Sequence, residues 1–251
     1  MIGSTHALDG KVAIVAGGSG GIGSETCRLL AEAGATVVVG YRAGKDRAAA
    51  IVKAMPGAGH IALPIAIEDT ATINGFRDAV LKAFGRADIL VNTAGITKPV
   101  GHADLDSLSD ALIDEIFVNN WRGVFATIRA FAPALKESGD GLIVNVSSIA
   151  GFTGVGSNVA YCAAKAGIDV MTKSLGRALA PAVRVMAVSP GMVDTQFVPG
   201  RGKEVTDKVA ATTPLKRLTS PTDVAEAILS CAIALKFSTG TRIVVDGGRH
   251  L

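Results

Sequence analysis

An α/β fold built on a doubly wound parallel sheet is predicted by three features of this sequence. Short apolar runs alternate with helix-length stretches from Lys11 to Asp246. The runs are nearly continuous in Val, Ile, Leu and Ala rather than alternating with polar residues, which is the pattern of strands covered on both faces. Many of the 30 glycines collect just after the runs, where a strand must turn into a helix.

Taken in order, residues 11–16 are a short β-branched run and read as the first strand. Glycines follow, then a helical stretch over 24–33 that Gly34 terminates. Residues 35–40, with three consecutive valines, form the second strand, 45–54 a helix and 60–65 the third strand. A helix over 70–84 leads to a fourth strand at 88–92, and a long helical region covers 109–137. The fifth strand is 142–147, followed by a long helix over 158–180 and a sixth strand at 183–189. A helix over 221–235 and a last strand at 242–246 complete the pattern. No composition shift marks a boundary, so residues 1–251 read as a single domain of about seven strands. Residues 190–214 are the least periodic stretch and read as a long loop with a short helix, a substrate lid within that domain.

Composition narrows the function classes. With 49% hydrophobic and 19% charged residues the chain can bury a sizeable core, and 4% aromatics means that core is mostly aliphatic. A net charge of +3 without any basic run leaves no footprint for nucleic acid. Cys27, Cys162 and Cys231 lack metal-ligand spacing, and His6, His60, His102 and His250 are far apart. Neither a metal site nor a disulfide scaffold is expected, and a reducing compartment fits. No run reaches the roughly 18 apolar residues of a membrane span, and the first ten residues hold no export stretch. The expected location is the cytoplasm.

The first strand runs into Gly17-Gly18-Ser19-Gly20-Gly21-Ile22-Gly23. Strand, glycine turn and helix start, in that order, is the context of a dinucleotide-binding motif. Glycine lets the backbone approach a pyrophosphate, and the helix presents free N–H groups and the positive end of its dipole. Strand two ends at Gly40-Tyr41-Arg42, with Lys45 nearby and no acid. An acid there binds a free adenosine ribose, whereas a base accommodates a 2′-phosphate, so Arg42 points to NADP(H) over NAD(H). Gly20 supplies no second cation for that phosphate, and Tyr41 leaves room for NAD(H) as well.

Tyr161 and Lys165 stand at i and i+4 on the predicted helix and share a face. A free phenol titrates at about 10, and a neighbouring ammonium favours its anion, so the pair is a candidate general acid and base. Ser147-Ser148 ends strand five, Asn92-Thr93-Ala94-Gly95 ends strand four and Pro190-Gly191 ends strand six. Carboxyl ends of parallel strands are where such sheets bind ligands.

These motifs, with Asn120, the YCAAK and PGMVDT runs and the closing Val245-Asp246-Gly247-Gly248, resemble the short-chain dehydrogenase/reductase family from Lys11 to Gly248. The resemblance implies roles residue by residue. Ser148 would hydrogen-bond the substrate oxygen, and Tyr161 would exchange the proton. Lys165 would hold the nicotinamide ribose and lower the phenol's pKa, and Asn120 would hold a water that relays protons. Gly17, Ser19, Gly20, Gly21, Ile22 and Gly23 would cradle the pyrophosphate, with Tyr41, Arg42 and Ile67 at the adenosine end. Asn92, Ala94 and Gly95 would line the cofactor, and Pro190, Gly191, Val193 and Thr195 its nicotinamide end. Departures from the family pattern are Ala16, Ala66, Trp121, Met186 and Gly20. Those at Ala66 and Gly20 remove side-chain contacts from the adenine end.

Ile96, Ala150, Phe152, Val155, Met192 and Phe197 are the expected substrate wall. They are apolar, which favours an uncharged carbonyl compound such as a ketone or a 3-oxoacyl thioester. A sugar dehydrogenase is the alternative, because residues 37–42 resemble the glucose dehydrogenases of the family. A cofactor-sensing protein on the same fold would not need the Tyr–Lys pair. A sugar-nucleotide epimerase would need more chain after Pro190. The two long helices hold more apolar residues than one face requires, and in the family they pack across a two-fold axis, so a homotetramer is expected.

Overall fold

In the computed structural model, which describes residues 6–195, 197, 198, 200 and 202–251, the apolar runs become seven strands. They are β1 (Val12–Ala16), β2 (Thr36–Tyr41), β3 (Ile61–Pro64), β4 (Ile89–Asn92), β5 (Gly141–Val146), β6 (Val183–Pro190) and β7 (Thr241–Val245). All pair in parallel, in the order β3-β2-β1-β4-β5-β6-β7. The register sets Ile14 beside both Val38 and Leu90. The order reverses at β1, which lies between β2 and β4, and this switch point opens a crevice at the carboxyl ends of the strands.

Alternate residues of each strand enter opposite layers, which is why the strands are apolar throughout. Ala13 and Val15 face one core with Cys27, Leu30, Val224 and Ile228. The last four come from helices α1 (Gly21–Glu32) and α9 (Pro221–Ile233). Val12, Ile14 and Ala16 face the other, with Phe76, Phe131, Leu135 and Ile168. Those side chains come from α3 (Thr70–Phe84), α5 (Gly123–Glu137) and α7 (Val159–Ala178). Phe76 meets Phe131 edge to face with centroids 5.9 Å apart, and burying one such ring stabilises the fold by roughly 1.5–3 kcal/mol.

The helix over 45–54 forms as predicted, as α2 (Lys45–Ala54). Three elements differ from expectation. α1 begins at Gly21 rather than at residue 24, so it starts inside the glycine turn. The expected helix over 109–137 is split into α4 (Asp110–Phe117), a π-helical turn at Val118–Arg122, and α5. The reason lies in two amides: Asn119 Nδ2 donates to the Glu115 carbonyl and Asn120 Nδ2 to the Ile116 carbonyl, both at 2.9 Å. Side chains that bond the preceding turn compete with the helical ladder. An unforeseen one-turn helix, α6 (Ala150–Thr153), follows β5 and ends at Gly154 in the left-handed region. The segment 190–214 holds the helix α8 (Lys203–Thr212). Its residues 196, 199 and 201 lie outside the described residues, as do residues 1–5 at the start of the chain. Among the described residues no helix is long and apolar enough to cross a membrane.

Candidate active site

The crevice begins at the glycine turn. Gly17 has φ +90°, open to glycine and strained for any other residue, and a Cβ there would lie 2.6 Å from the Ala94 nitrogen. A Cβ on Gly23 would lie 2.2 Å from the Gly17 carbonyl oxygen, so the turn folds onto its own helix. α1 starts at N-cap Gly20 with no side-chain cap and no acid in its first turn, which leaves its N–H groups and dipole uncompensated. Ser19 is buried in the turn and Ile22 packs on the core. The β6 end closes over this turn: the Thr195 methyl is 2.7 Å from where a Gly21 Cβ would stand.

At the neighbouring strand ends, Asn92 Nδ2 donates to Asn145 Oδ1 (2.9 Å), and Asn145 Nδ2 donates to Thr172 Oγ1 (3.2 Å). This buried chain ties β4 and β5 to α7. It leaves Asn92 Oδ1 buried without a hydrogen-bond partner among the described residues. The Thr93 and Ala94 amides both donate to the Ala16 carbonyl, which fixes the mouth between β1 and β4. Both N–H donors of the Asn120 side chain are committed to the protein. It donates to the Ile96 and Ile116 carbonyls and accepts from the Ile96 amide (3.1 Å), and it touches the position a Gly95 Cβ would take.

α7 delivers the Tyr–Lys pair. Asn158 caps it, accepting from the Tyr161 amide (2.7 Å) while its Nδ2 donates to the Lys98 carbonyl (2.8 Å). Lys165 is 5% exposed; its Nζ donates to the Val146 carbonyl at 2.8 Å and lies 5.7 Å from the centre of the Tyr161 ring. Burial pushes this ammonium down from 10.5 to about 8, and Asp169, one helical turn on, opposes that shift. Asp169 in turn pairs with Arg242 on β7 at 2.9 Å. Ser148 Oγ accepts from the Ala150 amide (3.2 Å), a bond that uses a lone pair and not the hydroxyl hydrogen.

Around this cluster the expected wall residues are placed unevenly. The Phe197 ring lies 6.1 Å from that of Tyr161. Ala150 is buried, and Val155 is 74% exposed. Phe152 is packed between the Arg242 guanidinium, 4.0 Å over its ring, and His250. The main chain of Ile96 is held by Asn120 and that of Met192 by Thr219. Pro190 ends β6 beside Val245, a Cβ on Gly191 would meet Asp246, and Val193 bridges to Thr219.

The adenosine end holds a correction. Arg42 is 63% exposed at the end of β2, but it is not alone there: its Nη2 lies 2.6 Å from Oε1 of Glu68, a carboxylate from the turn after β3. The expectation of no acid beside Arg42 is thus overturned. Glu68 went unseen because it sits on a different strand end, and only the β2–β3 register brings it across. Tyr41 and Ile67 are buried in opposite core layers.

A family model described as enoyl-(acyl carrier protein) reductase matches residues 16–250. The granaticin polyketide synthase ketoacyl reductase 2 of Streptomyces violaceoruber is 37% identical over 250 residues, covering 99% of both chains. The chain belongs to the short-chain dehydrogenase/reductase family. The cis-4-hydroxycyclohexanecarboxylate dehydrogenase of Sinomonas cyclohexanicum is 38% identical over 242 residues, covering 95% of this chain and 96% of the relative. A solved short-chain dehydrogenase/reductase from Brucella melitensis, named glucose/ribitol dehydrogenase, is 30% identical. It has a TM-score of 0.91, over 99% of this chain and 100% of that one.

As a short-chain dehydrogenase/reductase the protein is an oxidoreductase that interconverts a carbonyl and an alcohol in a small molecule with NAD(P)(H). The crevice fits such a cofactor. The close glycine turn, the uncapped helix start and the unpartnered Asn92 oxygen line its floor, and a buried ammonium stands at its far end. Among the described residues no group of three or more His, Cys, Asp or Glu could hold a metal ion.

Proposed function

We propose that this short-chain dehydrogenase/reductase reduces a ketone or 3-oxoacyl thioester with a preference for NADP(H), using Ser148, Tyr161 and Lys165. The observation that supports this best is the buried Lys165 ammonium 5.7 Å from the Tyr161 ring at the carboxyl ends of the strands. The nicotinamide, when bound, supplies the hydride in reduction and accepts it in oxidation. Ser148 donates its hydroxyl hydrogen to the substrate oxygen, since its lone pair already serves Ala150. Tyr161 passes its phenolic proton to the developing alkoxide, or takes the alcohol's proton in the reverse direction. The Lys165 charge favours the phenolate. An ammonium has three donors; one is taken by Val146, and the others suit ribose hydroxyls. Asn120 ties the strand-four loop to the π turn, and we assign the relay water to that turn.

The apolar wall and the ketoacyl reductase relative favour the acyl substrate over a sugar. Residues 190–214 serve as the lid, within one domain. α5 and α7 present an apolar groove of about 400 Å³ lined by Phe125, Ile128, Ala132, Pro133, Leu175 and Leu179, with Arg129 and Lys136 at its rim. We assign this groove to the contact between copies in a homotetramer. Oxidation of NADPH and NADH, followed at 340 nm with a 3-oxoacyl thioester, a cyclic ketone and, in reverse, glucose, tests the assignment. The acyl thioester or ketone should give the highest kcat/KM. Glucose oxidation as the fastest reaction would overturn the substrate reading.

A further inference from the structure

We propose that Glu68 is a specificity-determining residue, competing with the cofactor's 2′-phosphate for Arg42 and moving cofactor choice towards NAD(H). The inference rests on the reading of Arg42 as the residue that faces the adenosine ribose.

Arg42 and Glu68 leave adjacent strand ends. Tyr41 pairs with Pro64, and the Ile65 amide donates to the Tyr41 carbonyl at 2.8 Å, so the turn after β3 runs alongside the end of β2. The main chain that carries Glu68 is fixed, because its turn is clamped, and its side chain is largely buried. Arg122 Nη2 donates to the Glu68 carbonyl at 2.6 Å, and Thr72 Oγ1 donates to the Ala66 carbonyl at 2.7 Å. Asp69 caps α3 through the Ala71 amide at 2.8 Å. The more exposed member of the pair is Arg42, with 63% of its side chain exposed against 24% for Glu68, so it has more room to move towards a ligand.

The two cofactors therefore meet different chemistry. A 2′-phosphate must draw Arg42 off Glu68 and then stand as a like charge near that carboxylate. A free ribose 2′-hydroxyl carries no charge and is itself a donor. Glu68 does not repel it, and the carboxylate oxygen that Arg42 holds is an acceptor it can share. Both effects act in the same direction. An exposed ion pair and a like-charge contact in water are each worth a few fold, so their joint removal is worth about tenfold.

The test is calorimetric binding of 2′,5′-ADP and 5′-ADP, which needs no turnover, to the parent, Glu68→Gln, Arg42→Ala and the double variant. Glutamine keeps the size of the side chain and the Arg122 contact, which is to the main chain. Glu68→Gln should tighten 2′,5′-ADP by about tenfold, leave 5′-ADP unchanged or weaker, and lose its effect when Arg42 is alanine. If Arg42→Ala weakens 2′,5′-ADP but Glu68→Gln changes its affinity less than about twofold, the competition is refuted and Arg42 stands. If Arg42→Ala leaves 2′,5′-ADP unaffected, the Arg42 reading fails and Glu68 falls with it.

Discussion

Burying Lys165 should leave a signature in the pH dependence of stability. Burial holds its ammonium at about 8 instead of 10.5, a difference of about 3.4 kcal/mol at 1.36 kcal/mol per pH unit. Below pH 8 the lysine is charged in both states, and the native state bears that whole cost. Between about 8 and 10.5 the unfolded lysine still binds its proton while the native one has lost it. The unfolded state then binds more protons, so native stability rises with pH. Integrating both titrations gives a gain of about 2 kcal/mol between pH 7 and 9.5. Lys165→Met has no such titration. The comparison is best made in a Tyr161→Phe background, which removes a phenol coupled to the ammonium. Urea unfolding of the cofactor-free protein gives the stability of each variant at both pH values. The stability of the lysine protein relative to the methionine protein should climb by about 2 kcal/mol from pH 7 to 9.5, other groups cancelling. A flat or falling difference would show that the Val146 carbonyl and Asp169 fully compensate the buried charge, and the desolvation argument would be wrong.

Tyr161→Phe should lower kcat by about 10²–10⁴-fold while cofactor affinity by fluorescence titration stays near that of the parent, since only the transferable proton is lost. Near-normal turnover would remove Tyr161 from the mechanism. Gly23→Ala would drive a methyl to 2.2 Å from the Gly17 oxygen; a loss of about 1–3 kcal/mol in urea unfolding and weakened NADPH binding are expected together, and a stable variant with full binding would contradict the turn geometry. Leu175→Asp in the α5–α7 groove should bring the mass in sedimentation equilibrium down from about four chains to fewer, towards the 25.5 kDa of one. An unchanged mass would place the interface elsewhere.

Local sequence determined much of this protein. The alternation of runs yields the seven strands, most to within a residue or two, because burial on both faces demands continuous apolar residues in each. The glycine turn is legible because only glycine tolerates the backbone at Gly17 and the approach at Gly23. Tyr161 and Lys165 are legible because helical spacing alone puts them on one face. Other features exist only once the sheet is assembled. At the π turn Asn120 bonds the Ile96 main chain across the crevice as well as its own preceding turn, where helical periodicity sees one uninterrupted helix. The buried bond between Asn92 and Asn145 requires β4 and β5 to be neighbours in register. The acid beside Arg42 is the clearest case. Periodicity reports which way a side chain faces along its own element, whereas the Arg42–Glu68 contact is set by which strand ends lie side by side, a property of the sheet order and not of either segment.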